Sequence, residues 1–453
     1  MRKTTLHLLA FISGFVVLSL EILAFRMLAP YFGSNVFVSG SVITVILTLL
    51  SAGYYCGGWL ADRKPNGNYF YWIFGVSALN LTITLFFYSS ALNLFSRYST
   101  VGGAVLSSLA LYTLPVLMLS MVSPLLIKLH AESSGVGRSA GNVYAVSTLG
   151  SILGSILTTF VLVPFLGVKS SLFVNIILLV VAGALVRARH FVPFLGVSLL
   201  LVPVLKKPNS DYVYYKESAY NSIFVVDLNG IRILRLNQNR GAHSSSLHAD
   251  GLTHLMVDDF LFGPQLTAVK NILILGGGAG SSAEQMHRFY HPDRIDVLEI
   301  DPEVSKTAPY LRLTLAGVNV INEDGRRYLK TNNQLYDMVE LDMFSGSIYI
   351  PYYVATKEFF SEIAQSTTPE GIMMMNIVDI KSELAQAILD TVHAVYPHVY
   401  TINDRSLIAY KSGNHKIVPG FKRYTPGNQI LTDNASTIDW LTYRYVRAQN
   451  LLL

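Results

Sequence analysis

The chain has 453 residues, of which 51% are hydrophobic and only 14% charged, with a mean hydropathy of +0.41 and a formal net charge of +5. Soluble domains carry about 25% charged residues, so a large part of this chain belongs in lipid. The modest positive charge excludes a nucleic-acid footprint, and the single cysteine, Cys56, excludes a disulfide framework or a cysteine-based zinc site.

Residues 1–206 alternate long apolar runs with short polar breaks. Spans are expected at 6–28, 36–60, 69–92, 101–127, 142–166, 170–186 and 191–205. A crossing helix needs about 20 residues, and the last run is shorter and holds Pro193 and Pro203. Six or seven spans are therefore both consistent with the pattern. The segment after Met1-Arg-Lys-Thr-Thr lacks a small-residue cleavage site, so it reads as a first span rather than a removed leader. Arg2 and Lys3, Arg63 and Lys64, Lys128 and Arg138, and Arg187 and Arg189 fall on alternate loops, which places the N-terminus in the cytoplasm of an integral membrane protein whose partner is the lipid bilayer. Seven spans would put the second half outside, six inside. Glu21 and Arg26 are charges within the first span and are expected to pair with each other or with polar neighbours.

Character changes at Lys206-Lys207-Pro208. Residues 207–250 alternate in hydrophobicity around Asn229-Gly230, a hairpin signal that predicts a small antiparallel β subdomain. Residues 251–453 adopt a strand–helix rhythm, with strands expected at 271–275, 295–300, 317–322, 337–342, 371–377, 397–402 and 406–411. That is a doubly wound α/β sheet.

The stretch Asn271-Ile-Leu-Ile-Leu-Gly-Gly-Gly-Ala-Gly280 runs an apolar strand into a glycine turn, with a helix expected over 281–290. Gly276, Gly278 and Gly280 predict close approach of backbone to a ligand, and the helix start offers unpaired N–H groups. Three later strands end in acid. Glu299 stands where a carboxylate takes the two hydroxyls of a ribose, Asp324, followed by Gly325, can accept from an adenine amino group, and Asp342 ends the fourth strand. Taken singly, each of these acids is also a good helix cap.

These residues carry a resemblance. Glu217-Ser-Ala-Tyr-Asn-Ser-Ile, Gly276–Gly280, Leu298-Glu-Ile-Asp301, Glu323-Asp-Gly-Arg326, Tyr336–Asp342, Thr356-Lys-Glu-Phe-Phe360 and Leu431-Thr-Asp-Asn-Ala435 resemble, in order, the spermidine synthase family of polyamine aminopropyltransferases, and the whole chain resembles its membrane-fused members. The resemblance implies a multi-span α-helical membrane domain followed by an α/β, class I methyltransferase-like (Rossmann-type) domain. It implies S-adenosylmethionine or decarboxylated S-adenosylmethionine as co-substrate, Glu299 on its ribose, Asp324 on its adenine, Asp342 activating an acceptor amine, and a homodimer. The acceptor is a small or membrane-associated molecule.

Two departures refine the expectation. Ala279 stands where the family carries an aspartate facing the amino end of the decarboxylated donor. The carboxylate of ordinary S-adenosylmethionine would be repelled by that aspartate, so its loss opens the pocket to the ordinary donor. Asp342 is followed by Met343-Phe-Ser-Gly346 where the family has Ser-Ser-Asp-Pro, which removes one counter-charge for a polyamine. The expected function is transfer of an aminopropyl or a methyl group to an amine-like acceptor, the alternatives being a true polyamine aminopropyltransferase or a non-catalytic extracytoplasmic binding module on the same fold. His243, His254, Tyr349 and Tyr352 are candidate acceptor-pocket residues. His243, His254, Asp258 and Asp259 lack zinc-ligand spacing, so no metal is expected.

Overall fold

The computed structural model describes residues 3–33, 35–63, 66–200, 212–237, 241–344, 350–377, 379–412 and 419–448, the side chains of 132–134, 188–200 and 447 excepted. The chain forms two compact units, one of residues 1–209 with 217–219 and the other of residues 210–216 with 220–451.

The first unit is helical: α1 (Lys3–Phe32), α2 (Val36–Arg63), α3 (Asn68–Phe95), α4 (Thr100–Ser120), α5 (Val122–Ser134), α6 (Val136–Leu157) and α7 (Val163–Leu200), with a π turn at Thr158–Leu162. Among the described residues, five helical stretches are long and apolar enough to cross a membrane. The run expected at 101–127 is broken into α4 and α5 at Met121. Pro124 cannot donate the bond that would continue the helix from Ser120, so a new helix starts just before it. Pro115 remains inside α4. The runs 142–166 and 170–186 are parted at Gly167, whose φ of 78° ends one helix. The amide of Val168 then donates to Glu217 Oε2 at 2.7 Å, which caps the next. The expected segment 191–205 lies partly outside the described residues.

Small residues set the packing of α1 on α6. A Cβ at Gly14, Gly150 or Gly154 would strike the carbonyls of Ser147, Phe11 and Phe15 respectively. Backbones this close gain dispersion contacts along the whole seam. A buried polar cluster sits in the same bundle: Thr158 and Asn175 both donate to Ser19 Oγ, at 2.7 and 2.8 Å. Arg26 donates to the carbonyl of Ser218 at 2.8 Å.

The second unit holds two sheets. The smaller has the order β1-β2-β3-β4, with β1 Tyr214–Glu217, β2 Ser222–Leu228, β3 Ile231–Leu236 and β4 Ser244–Ser245. Asn229 and Gly230 turn the hairpin with φ of 55° and 91°, as a two-residue loop between twisted strands requires. The larger sheet comprises β5 Asn271–Leu275, β6 Arg294–Leu298, β7 Val318–Ile321, β8 Tyr336–Leu341, β9 Thr367–Asn376, β10 His398–Ile402, β11 Ser406–Tyr410 and β12 Lys422–Arg423. Its order is β12-β10-β11-β9-β8-β5-β6-β7. Pairing is parallel from β7 through β6, β5 and β8 to β9, and antiparallel beyond. Chain order reverses between β5 and β8, and such a switch point opens a crevice at the carboxyl ends of the strands.

Candidate active site

The crevice is built from strand ends. β5 runs into the glycine turn, and Gly276 adopts φ 83°. A Cβ there would sit 2.5 Å from the Asp342 carbonyl oxygen, so only glycine lets the turn cross the end of β8. The amides of Gly276 and Gly277 both donate to Leu298 O at 3.0 Å, which fixes the turn to the end of β6. Gly278 meets protein in the same way: a Cβ would lie 2.6 Å from Ser244 Oγ. The glycines expected to make room for a ligand therefore also make room for neighbouring chain.

Glu299 stands just past β6. Its two oxygens accept from the amides of Gly278 (2.9 Å) and Asp301 (3.0 Å). Burial pushes its carboxyl up to about 7, although these backbone N–H groups pull the other way. Each oxygen retains acceptor capacity for a hydroxyl. Asp324 caps the helix Gly325–Thr331, with Oδ1 accepting from Arg327 N at 2.9 Å, while Oδ2 accepts from the Tyr353 hydroxyl at 3.5 Å. Asp301 caps the short helix Pro302–Ser305 and also accepts from Asn221 Nδ2 at 3.0 Å. Helix capping and presence at the crevice thus coincide in the same acids.

Asp342 follows β8. Its amide donates to Leu275 O at 3.0 Å, which continues the β5–β8 ladder. Its Oδ1 accepts from Asn376 Nδ2, at the end of β9, at 3.0 Å. Half-buried in the crevice, its carboxyl is pushed up to about 6 by desolvation, with the Asn376 bond opposing. Asn376 escaped the sequence reading. Its signal is a polar residue ending the apolar run Ile372-Met-Met-Met. Glu340 escaped it too, although an acid within Met338-Val-Glu-Leu is out of place in a buried strand.

Ala279 is 1% exposed and packs with Ile223, Val225, Leu234, Leu236 and Leu311, from the small sheet and the segment after β6. Its amide donates to Ser244 Oγ at 3.0 Å. An aspartate here would be driven into an apolar cluster, so packing alone demands a small uncharged residue. Packing therefore gives a second reason, beside the donor's charge, for an uncharged residue at this position.

The remaining candidates are dispersed. His243 lies beside the turn, with Nδ1 accepting from Leu236 N at 3.4 Å. His254 pairs with Asp250 at 3.1 Å and meets the His248 ring at 4.4 Å; none of its described contacts reaches Glu299, Asp324 or Asp342. Asp258 accepts from Thr253 N, His254 N and Gln285 Nε2. Asp259 is tied up by Arg405, Asn403 and Ser406. Both aspartates brace local structure. Among the described residues, no group of three or more His, Cys, Asp or Glu side chains is placed to hold a metal ion. Tyr352 is exposed, with its ring 5.6 Å from that of Tyr353. Tyr349 lies outside the described residues.

Arg326 anchors the far side of the crevice. It donates to both oxygens of Glu362, both of Asp433, and the Tyr353 carbonyl, at 2.7–2.9 Å. All five N–H groups of the guanidinium are used. Two of the recognised segments, Glu323–Arg326 and Leu431–Ala435, therefore meet at one side chain, and Thr356 of a third joins them by donating to Asp433 Oδ1 at 2.7 Å.

The spermine/spermidine synthase domain family matches residues 259–404, the segment that carries these strand ends. This half of the chain is spermidine synthase-like. The chain is 30% identical over 216 residues to a probable polyamine aminopropyl transferase of Bifidobacterium longum, covering 45% of this chain and 48% of that protein. The chain thus spans about half the length of that relative. A polyamine aminopropyltransferase of Corynebacterium efficiens is 24% identical over 396 residues, covering 76% of this chain and 74% of its own, so the similarity reaches past the spermidine synthase-like half into the helical one. Among solved structures, a probable spermidine synthase from Corynebacterium glutamicum matches at 21% identity with a TM-score of 0.39, covering 46% of this chain and 81% of that one.

Proposed function

We propose that this protein is a membrane-anchored group transferase that takes an S-adenosylmethionine-type sulfonium donor and alkylates an amine-like acceptor. The observation that carries the reading is the convergence of Glu299, Asp324 and Asp342 at one sheet crevice, with the glycine turn locked against the last of them. Glu299 takes the ribose hydroxyls, Asp324 the adenine amino group, and Asp342 the acceptor nitrogen. A sulfonium donor supplies its own leaving group, so the protein's task is alignment and exclusion of water.

The step balances simply. The acceptor nitrogen's lone pair forms the new N–C bond, the C–S bond breaks, and its electron pair stays on sulfur as a neutral thioether. The nitrogen sheds one proton. Asp342, ionised above about pH 6, orients the nitrogen and stabilises the positive charge growing on it. Asn376 holds the carboxylate in place by its 3.0 Å bond.

Aminopropyl transfer is what the names of the relatives favour. Methyl transfer remains open to this pocket, because the glycine turn carries no carboxylate to repel the ordinary donor. Calorimetry of the purified full-length protein with both donors decides between them. We expect S-adenosylmethionine to bind within about ten-fold of its decarboxylated form, a difference of at most about 1.4 kcal/mol. Preference for the decarboxylated form by a hundred-fold or more would establish aminopropyl transfer. Binding of neither would reduce the domain to a non-catalytic module.

A further inference from the structure

Glu340 has no part in the step just described. It lies in the middle of β8 at 0% exposure. One oxygen accepts from Ser282 Oγ at 2.5 Å, and the other, Oε1, is buried without a hydrogen-bond partner. Its register neighbours, Ile274 on β5 and Met374 on β9, are apolar. The helix Ser281–Tyr290, which begins at the glycine turn, contributes Ser282 and the buried Gln285 and Met286. Its Glu284 is engaged by Thr314 and Leu315. The 3₁₀ segment Met256–Phe262 carries Asp258, bonded to Gln285, and Asp259, bonded to Arg405. Along β8 itself, Asp342 is two residues on and on the same strand face. Its like charge adds to burial in keeping the Glu340 carboxyl protonated, up to about pH 8.

A carboxyl in an apolar layer is a costly choice, and an orphaned oxygen adds to the cost. Such a group answers to charge more than to contact. We propose that Glu340 is a charge-sensing positioning residue, which gives up its proton to solvent when a cationic reactant occupies the crevice at Asp342 and regains it when that charge is gone. This inference rests on the sulfonium-donor reading. The transfer converts a cationic sulfonium into a neutral thioether, so Glu340 would favour donor over spent product and ease product release.

S-adenosylmethionine and S-adenosylhomocysteine serve as the probes, since they differ by one methyl group and one positive charge at sulfur. Binding is measured calorimetrically at pH 7, in phosphate and in Tris, on the full-length protein. Because protons released to these buffers carry different heats, the pair of measurements counts them. The sulfonium ligand is expected to release several tenths of a proton more than the thioether. In Glu340→Gln that difference falls by at least half, the remainder coming from Glu299 and Asp342, and the affinity ratio of the two ligands narrows about ten-fold. Glu340→Leu, which suits the apolar layer, gives the same result should the glutamine variant fold poorly. Glu299 and Asp342 are intact in both variants, so their own titration cannot imitate the loss. Equal release by the wild type, or an undiminished difference in a folded variant, overturns the inference alone. Failure of the wild type to bind either ligand removes both the inference and the donor reading.

Discussion

Asp342 and Glu340 share a strand face and have opposite tasks. Asp342 is half-buried at the crevice and in the proposed transfer acts as a carboxylate, whereas Glu340 is sealed and, with no cation in the crevice, holds its proton. The first contrast gives a kinetic expectation. kcat/KM should rise through about pH 6 as Asp342 ionises. Asp342→Asn should retain donor affinity, lose that limb of the pH profile, and turn over at least about 100-fold more slowly. Unchanged turnover would remove Asp342 from the chemistry. The second contrast is a stability expectation. Between the ordinary glutamate range, near 4.5, and about 8, the native state holds a proton at Glu340 that the unfolded chain has released. Native stability therefore falls as pH rises through that window. Glu340→Gln cannot ionise, so its thermal midpoint should exceed the wild type's at pH 9, with the gap closing by pH 5. A gap independent of pH would mean that Glu340 does not titrate in this range.

At the scale of elements, local rules wrote much of the answer into the sequence. The strand Asn271–Leu275 is legible because five apolar-rich residues end in glycines. The hairpin is legible because Asn-Gly accepts two positive φ values. The break at Gly167 is legible as the gap between the runs 142–166 and 170–186, whereas the break at Met121 falls inside the run 101–127 and is signalled only by Pro124, since a broken helix and a continuous one bury the same apolar residues. The cap that follows Gly167 depends on Glu217, a distant carboxylate that no local pattern announces. The site divides along the same line. Glu299, Asp324 and Asp342 end strands and could be read, whereas Asn376 and Ser244 matter only through partners remote in sequence. The helix pair α1 and α6 offers its own test. Gly150→Leu pushes a side chain against the Phe11 carbonyl, where no space exists. Overpacking of this kind costs about 1–3 kcal/mol, and the thermal midpoint in detergent should drop accordingly. An unshifted midpoint would show that the two helices separate freely.

At the scale of the whole molecule, the break at Gly167 bears on which side of the membrane the second unit occupies. The helical stretch Val136–Arg187 is 52 residues long, more than one crossing needs. Divided at Gly167, it is long enough for two crossings, which with the four stretches before it would make six among the described residues. Arg187 then returns to the side of Lys3, in keeping with the alternation of basic loops. Six crossings would leave the spermidine synthase-like half on the side of Lys3, expected to be the cytoplasm, where a sulfonium donor is made, whereas a seventh through 191–205 would carry it outside. A reporter fused after Leu453 should be active in the cytoplasm. An external signal would leave the donor without a source and count against the transferase reading.

Ala279 couples the glycine turn to the small sheet. Its methyl group belongs to the same buried cluster as Ile223, Val225, Leu234 and Leu236, on two strands more than forty residues earlier in the chain. A charge introduced at residue 279 should therefore be felt on β2 and β3, and Ala279→Asp combined with a polar replacement at Val225 should destabilise by less than the sum of the two single changes.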